Sequence, residues 1–131
     1  MTITVKPYTP GTVGDDALAS LIVYSLTRSV NTIITAADEG VDAPKGARGH
    51  WPEAARSCSC NYALRIVQQL LDGLVGEQFE DVGVFNYRVY HATELLKLIR
   101  NSTPKSAKQA RFLLECAIRE AETLTDLLEV A

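Results

Sequence analysis

Apolar residues recur with helical spacing in four stretches of the chain, and the clearest of these covers residues 104–130. Its apolar positions repeat three and four residues apart: Ala110, Leu113, Leu114, Ala117, Ile118, Ala121, Leu124 and Leu128. On the other side Arg111, Glu115 and Arg119 alternate in charge at four-residue steps, which suits a solvent-facing helix surface. The pattern predicts an amphipathic helix with one buried face.

The stretch 15–39 is apolar on two sides. One stripe contains Leu18, Leu21, Ile22, Ser25, Ser29, Ile33 and Ala36, and a second contains Val23, Leu26, Val30, Ile34 and Ala37. Asp15 and Asp16 are good residues for the start of a helix, and Gly40 is a good residue for its end. Such wide apolar coverage predicts a helix that is buried on more than one side.

Two further helices are predicted, at 52–75 and 84–101. Pro52 suits the first turn of the earlier one. Its predicted core stripe is Trp51, Ala55, Cys58, Tyr62, Ile66, Leu70 and Leu74, with Cys60, Ala63, Val67 and Leu71 beside it. The predicted core stripe of the later one is Val84, Tyr87, His91, Leu95, Leu98 and Ile99. A histidine in such a stripe indicates a hydrogen-bonded core residue rather than a metal ligand. The run from Asn101 to Pro104 stops one helix and starts the next.

The first fourteen residues show no helical spacing of apolar residues. Residues 2–6 alternate polar and apolar side chains, and Pro7, Pro10, Gly11 and Gly14 then interrupt the chain. This predicts a short extended arm over 1–14. An isolated strand has no partner in a helical chain, so we expect the arm to lie over the helices or to pair with the same strand of another subunit. Residues 77–83 are expected to be an acidic link.

Four helices joined by short links predict an all-α, four-helix-bundle-like domain over 15–131, preceded by the extended arm. A length of 131 residues suits a single domain. Phe112, Cys116 and Leu127 fall off the main stripe of the last helix. They predict an additional covered face, and therefore a homo-oligomer. The alternative interpretation is that a small domain simply exposes some apolar surface.

Cysteine content and the start of the chain bear on the compartment. The chain has three cysteines, Cys58, Cys60 and Cys116, so they cannot all form disulfide bonds with one another. Cys58 and Cys60 lie too close in the sequence for an easy disulfide bond. The first ten residues lack the pattern of a signal peptide. No apolar run approaches the length of a membrane span. We therefore expect a cytoplasmic protein without a membrane partner.

No catalytic or cofactor motif is recognisable. Phosphate loops, dinucleotide fingerprints and nucleophile elbows are missing, so no catalytic residue and no cofactor are predicted. No metal site is predicted either, because Glu115, Glu120 and Glu122 fall on the outer side of their helix. For an enzyme, His50 and His91 would be the only acid–base candidates.

Charge is segregated along the chain. Between 88 and 111 six basic residues stand against one acidic residue, a local +5 that leaves −8 for the remainder of a chain with net charge −3. The candidate binding residues here are Arg88, Lys97, Arg100, Lys105, Lys108 and Arg111. The alternative interpretation is solvated charge kept for solubility. His50 and Trp51, where a glycine-rich loop enters a helix, are further candidates, and the alternative there is a loop anchored in the core.

Wide apolar faces and the lack of a catalytic motif favour a small helical protein that acts by protein–protein interaction. An adaptor, an inhibitor or an immunity-like factor would fit this description. The alternative is a nucleic-acid or nucleotide-phosphate binder that uses a basic, helix-turn-helix-like corner at 88–111. The modest net charge of −3 argues against a protein dedicated to duplex binding.

Overall fold

The described residues form a bundle of four helices with a small two-stranded sheet at one end. The structure is a computed structural model that describes residues 2–39, 59–103, 105 and 108–130. Its helices are α1 (Asp15–Glu39), α2 (Ser59–Asp72), α3 (Val82–Ser102) and α4 (Lys108–Val130). The all-α, bundle-like fold predicted from the apolar periodicity is thereby confirmed. The predicted residues that fall outside the described part are Gly40, His50, Trp51, Pro52, Ala55, Cys58 and Pro104.

The helices pack as a ring in which each one touches the two next to it. Helix α1 packs against α2 and α4, and α3 packs against the same two helices from the opposite corner. The shared core is fully buried and includes Ile22, Ile33, Leu64, Phe85, Leu96 and Leu114. Both stripes of α1 contribute, since Ile22 and Val30 are both fully buried. The expectation that this helix is buried on more than one side is confirmed.

The N-terminal arm has a partner within the chain. Strand β1 (Ile3–Thr4) pairs antiparallel with β2 (Gln78–Phe79), with Ile3 opposite Phe79. The expectation that this strand has no partner within the chain was therefore wrong. So was the interpretation of 77–83 as a mere link. A two-residue strand inside an acidic connection is too short to show an alternating pattern, and tertiary pairing alone reveals it.

Side chains of α1 hold the arm in place. The Thr4 amide donates to Asp16 Oδ1 at 3.1 Å, and the Lys6 amide donates to Ser20 Oγ at 3.1 Å. The next apolar residue of the arm, Val5, donates its amide to the Glu77 carbonyl at 2.9 Å and is fully buried. The arm thus closes one end of the core.

The buried face was predicted well for α4, in part for α2 and wrongly for α3. In α4 the predicted stripe is buried, with Leu113 and Leu124 partly so. In the second helix Val67 and Leu71, predicted beside the main stripe, are buried together with Leu64. Of the main stripe Leu74 is buried, whereas Leu70 is 44% exposed. In α3 the buried positions are Phe85, Asn86, Val89, Ala92, Thr93, Leu96 and Ile99. Of the stripe predicted for α3, only Ile99 belongs to this set.

Contacts made outside α3 set its rotation. The ring of Phe85 packs edge-on against the ring of Phe79 in β2, with centroids 5.6 Å apart. At the start of the helix the Val84 amide donates to Asp81 Oδ1 at 2.9 Å, which is an N-cap contact. Both contacts turn Phe85 inward and leave Val84 outward.

By length and composition, residues Asp15–Thr35 of α1 could cross a membrane. The expectation that no apolar stretch approaches this length was therefore too strict. A core helix of a bundle passes the same test, and here Ile22, Leu26, Val30 and Ile33 pack among the other helices.

Candidate interaction surfaces

An apolar line runs along the outward side of α3. It consists of Val84, Tyr87, His91 and Leu98, and we call it the α3 face. Tyr87 is 59% exposed and Leu98 is 62% exposed. Their spacing of three, four and seven residues places them on one side of the helix. From Val84 to Leu98 the line is about 21 Å long at the usual helical rise.

His91 belongs to this outer surface. The prediction of a core histidine was wrong, because the stripe that contains it faces solvent. Its imidazole instead packs on the ring of Tyr87, with centroids 4.5 Å apart. The two rings form the middle of the α3 face.

Charged and phenolic groups border the α3 face. The guanidinium of Arg88 lies 5.9 Å from the centroid of the Phe79 ring, within the range of a cation–π contact. The Lys97 ammonium lies 3.7 Å from the Glu94 carboxylate. A hydrogen bond to Glu94 raises the pKa of the Tyr90 hydroxyl above its usual range. The apolar line is thus bordered by both signs of charge.

A second candidate surface lies between α1 and α4, where polar and apolar side chains are mixed. Here an open groove of about 300 Å³ is lined by Tyr24, Ser25, Arg28, Ser29, Thr32, Leu113, Cys116 and Glu120. The small side chains of Ser25 and Ser29 leave this space beside α4 open. The ring of Tyr8 packs against the ring of Tyr24, with centroids 5.0 Å apart. Cys116 presents an exposed thiol, and Phe112 on the same helix is 66% exposed.

Most of the basic residues predicted to bind a ligand have partners within the molecule. Lys97 binds Glu122 at 3.3 Å, and this hydrogen bond raises the pKa of Lys97. Arg100 Nη1 donates to both carboxylate oxygens of Glu115, at 3.1 and 2.9 Å. Two of the carboxylates interpreted as plain solvated charge, Glu115 and Glu122, are therefore ion-pair partners.

Arg111 closes the end of α3. Its Nη1 donates to the carbonyl oxygens of Arg100 at 2.9 Å and of Thr103 at 2.8 Å. The Arg100 carbonyl also accepts from the Thr103 amide at 3.2 Å, and a cation at this end suits the helix dipole. Arg111 thus has a structural role that no spacing rule in the sequence indicated.

The six basic residues do not form one patch. Arg88 lies near the start of α3, about 18 Å along the helix from Arg100. Lys105 and Lys108 are exposed, and neither has a partner within the described part of the chain. His50 and Trp51 lie outside the described residues. The proposed ligand-binding role of these residues stays a prediction.

Helices α3 and α4 form a long antiparallel hairpin. Asn86 Nδ2 near the start of α3 donates to Glu129 Oε1 near the end of α4 at 3.2 Å. At the other end of the pair, Arg100 binds Glu115. Contact along the whole length differs from the crossing of about 90–120° in a helix-turn-helix. The described residues contain no group of three or more His, Cys, Asp or Glu side chains that could hold a metal ion.

Comparison with protein families, with curated proteins and with solved structures finds no match for this chain. The geometry of its own residues is therefore the basis for a functional proposal.

Proposed function

We propose that this protein acts by binding another protein through the α3 face, as an adaptor or inhibitor does, and not by catalysis. The observation that carries the proposal is the continuous outward line of Val84, Tyr87, His91 and Leu98. Large apolar side chains aligned on one surface helix are typical of helix-mediated recognition.

The fold does not need this line for its own core. The inward side of α3 fills the bundle with Phe85, Val89 and Leu96, all at most 1% exposed. Exposure of the apolar surface of Tyr87 and Leu98 to water is unfavourable, and contact with a partner would bury that surface. Tyrosine is also among the residues that contribute most at protein interfaces.

The alternative, binding of nucleic acid or a phosphate-bearing ligand, has less support. Of the six candidate residues, only Lys105 and Lys108 lack a partner within the described part of the chain. Two lysines give a weak electrostatic attraction compared with the six to ten phosphate contacts of many nucleic-acid binders.

Site-specific photo-crosslinking in cells tests the proposal. A benzophenone amino acid at Leu98 should give a covalent protein adduct, whereas the same group at the exposed Gln69 on α2 should not. Adding Tyr87→Asp should abolish the adduct while the helical circular dichroism is retained. Equal yields at Leu98 and Gln69, or no protein adduct at Leu98, would contradict the proposal. A nucleic-acid adduct at Lys105 would support the alternative.

A further inference from the structure

We infer that the protein bound by the α3 face is a second copy of this chain, docked antiparallel about a two-fold axis next to His91. The inference rests on the proposed function and specifies the partner. In a two-fold contact the same patch serves on both subunits, so the patch must be complementary to itself. The α3 face meets this condition in its apolar positions and in its charges.

The apolar positions match in the antiparallel register centred on His91. Val84 of one copy then lies at the level of Leu98 of the other, and Tyr87 lies at the level of the half-buried Leu95. His91 meets its own symmetry mate. Val84, Tyr87 and His91 alternate three and four residues apart as in a two-helix seam, and Leu98 lies one heptad beyond His91. Glu94 stands at the seam position between His91 and Leu98.

Charges at the two ends of α3 match in the same arrangement. Glu77 and Glu80 precede the helix, and Lys105 and Lys108 follow it. All four side chains are exposed and make no ion pair within the described part of the chain. An antiparallel pair brings the acidic end of each copy to the basic end of the other. A parallel pair would place like charges together.

Charges nearer the centre do not add to this match. Arg88 and Glu94 lie on opposite sides of the α3 face, about 120° apart around the helix, and Glu94 pairs with Lys97 within the chain. The charges at the two ends of α3 therefore carry the electrostatic argument. One helix face is small for an interface, so we expect a dissociation constant on the order of micromolar.

Cysteine crosslinking tests the register. In a background with Cys58, Cys60 and Cys116 changed to Ser, His91→Cys should form a disulfide-linked dimer on mild oxidation. Leu98→Cys alone should remain monomeric, but should crosslink when mixed with Val84→Cys. Efficient self-crosslinking of Leu98→Cys would indicate a parallel pair and would overturn the inference. Circular dichroism verifies that the cysteine-free background is folded.

Sedimentation equilibrium of the unmodified chain provides a second test that needs no cysteine variant. We expect a monomer–dimer equilibrium that weakens as salt rises. Lys105→Glu with Lys108→Glu should weaken it at least tenfold, and Glu77→Lys with Glu80→Lys added should restore it. The matched control, Lys6→Glu on the arm, should have no effect.

A chain that stays monomeric up to about 1 mM would overturn the inference and leave the proposed function standing, provided that Leu98 still crosslinks to a different protein in cells. An adduct with the mass of two copies of the chain would support both the proposed function and the inference.

Discussion

Helices α3 and α4 lie side by side in the bundle, yet their apolar patterns have opposite outcomes. In α4 the stripe with the clearest periodicity is buried, and residues such as Leu114 and Ile118 fill the core. In α3 the predicted stripe faces solvent, and a second apolar stripe fills the core instead. Periodicity thus identifies a helix more securely than it identifies the buried side. When two sides are apolar, contacts outside the helix decide between them.

The largest expected effect is a difference in the free energy of unfolding between substitutions on the two sides of α3. Phe85→Ala should lower the free energy of unfolding by about 3–5 kcal/mol, because it opens a cavity in a packed core. Tyr87→Ala, two residues away on the outer side, should change it by less than about 0.5 kcal/mol. Urea unfolding measures both.

Both variants should be compared in the Leu98→Glu background, because association raises the apparent stability of the folded chain. Comparable losses for Phe85→Ala and Tyr87→Ala would show that the outer side also belongs to the core, and the comparison between the two helices would fail.

A smaller effect is expected where α4 supports α3. Arg111→Met retains much of the aliphatic stem but removes the donor to the carbonyls of Arg100 and Thr103. We expect a loss of about 1–3 kcal/mol, typical of hydrogen bonds to a charged group. The matched control is Arg119→Met on the exposed side of α4, which should change stability by less than about 0.5 kcal/mol. Equal changes in stability at both positions would show that Arg111 does not cap the end of α3.

The smallest effect concerns pH. The hydrogen bond to Glu122 raises the pKa of Lys97 in the folded chain. The ion pair of Lys97 with Glu122 therefore stabilises the folded chain at neutral pH. This stabilisation is lost as pH rises through the pKa of Lys97 in the folded chain, above about pH 10. Because Lys97 is largely solvated, we expect only a slight fall in the unfolding midpoint between pH 9 and 11. Lys97→Met should reduce that fall, and a steeper fall in the variant would contradict the assignment.

The four helices of the described residues, and their order, could be predicted from the sequence because long periodic stretches and helix caps are local signals. The face that α1 and α4 bury followed from the same signals. The β1–β2 pairing could not be predicted, since it joins two residues near the start of the chain to two residues far along it. The buried side of α3 could not be predicted either, because both sides of that helix carry apolar residues and only packing against the other elements distinguishes them.

Part of the candidate surface was visible in the sequence. The stripe of Val84, Tyr87, His91 and Leu98 was identified as a unit, but it was assigned to the core. The basic residues were also identified, but their partners were not. Glu115 and Glu122 come from another helix, and Arg111 binds backbone carbonyls that only the folded chain brings within reach. Sequence spacing carries no information about such partners.

The pairing of Ile3 with Phe79 has a consequence for how the chain is made. A ribosome delivers the arm first, and its partner strand emerges only after α1 and α2 have been synthesised. Until then Ile3 and Val5 have no strand beside them, and α1 presents its apolar sides to water or to chaperones. The step that seals this end of the bundle must wait until β2 has been synthesised.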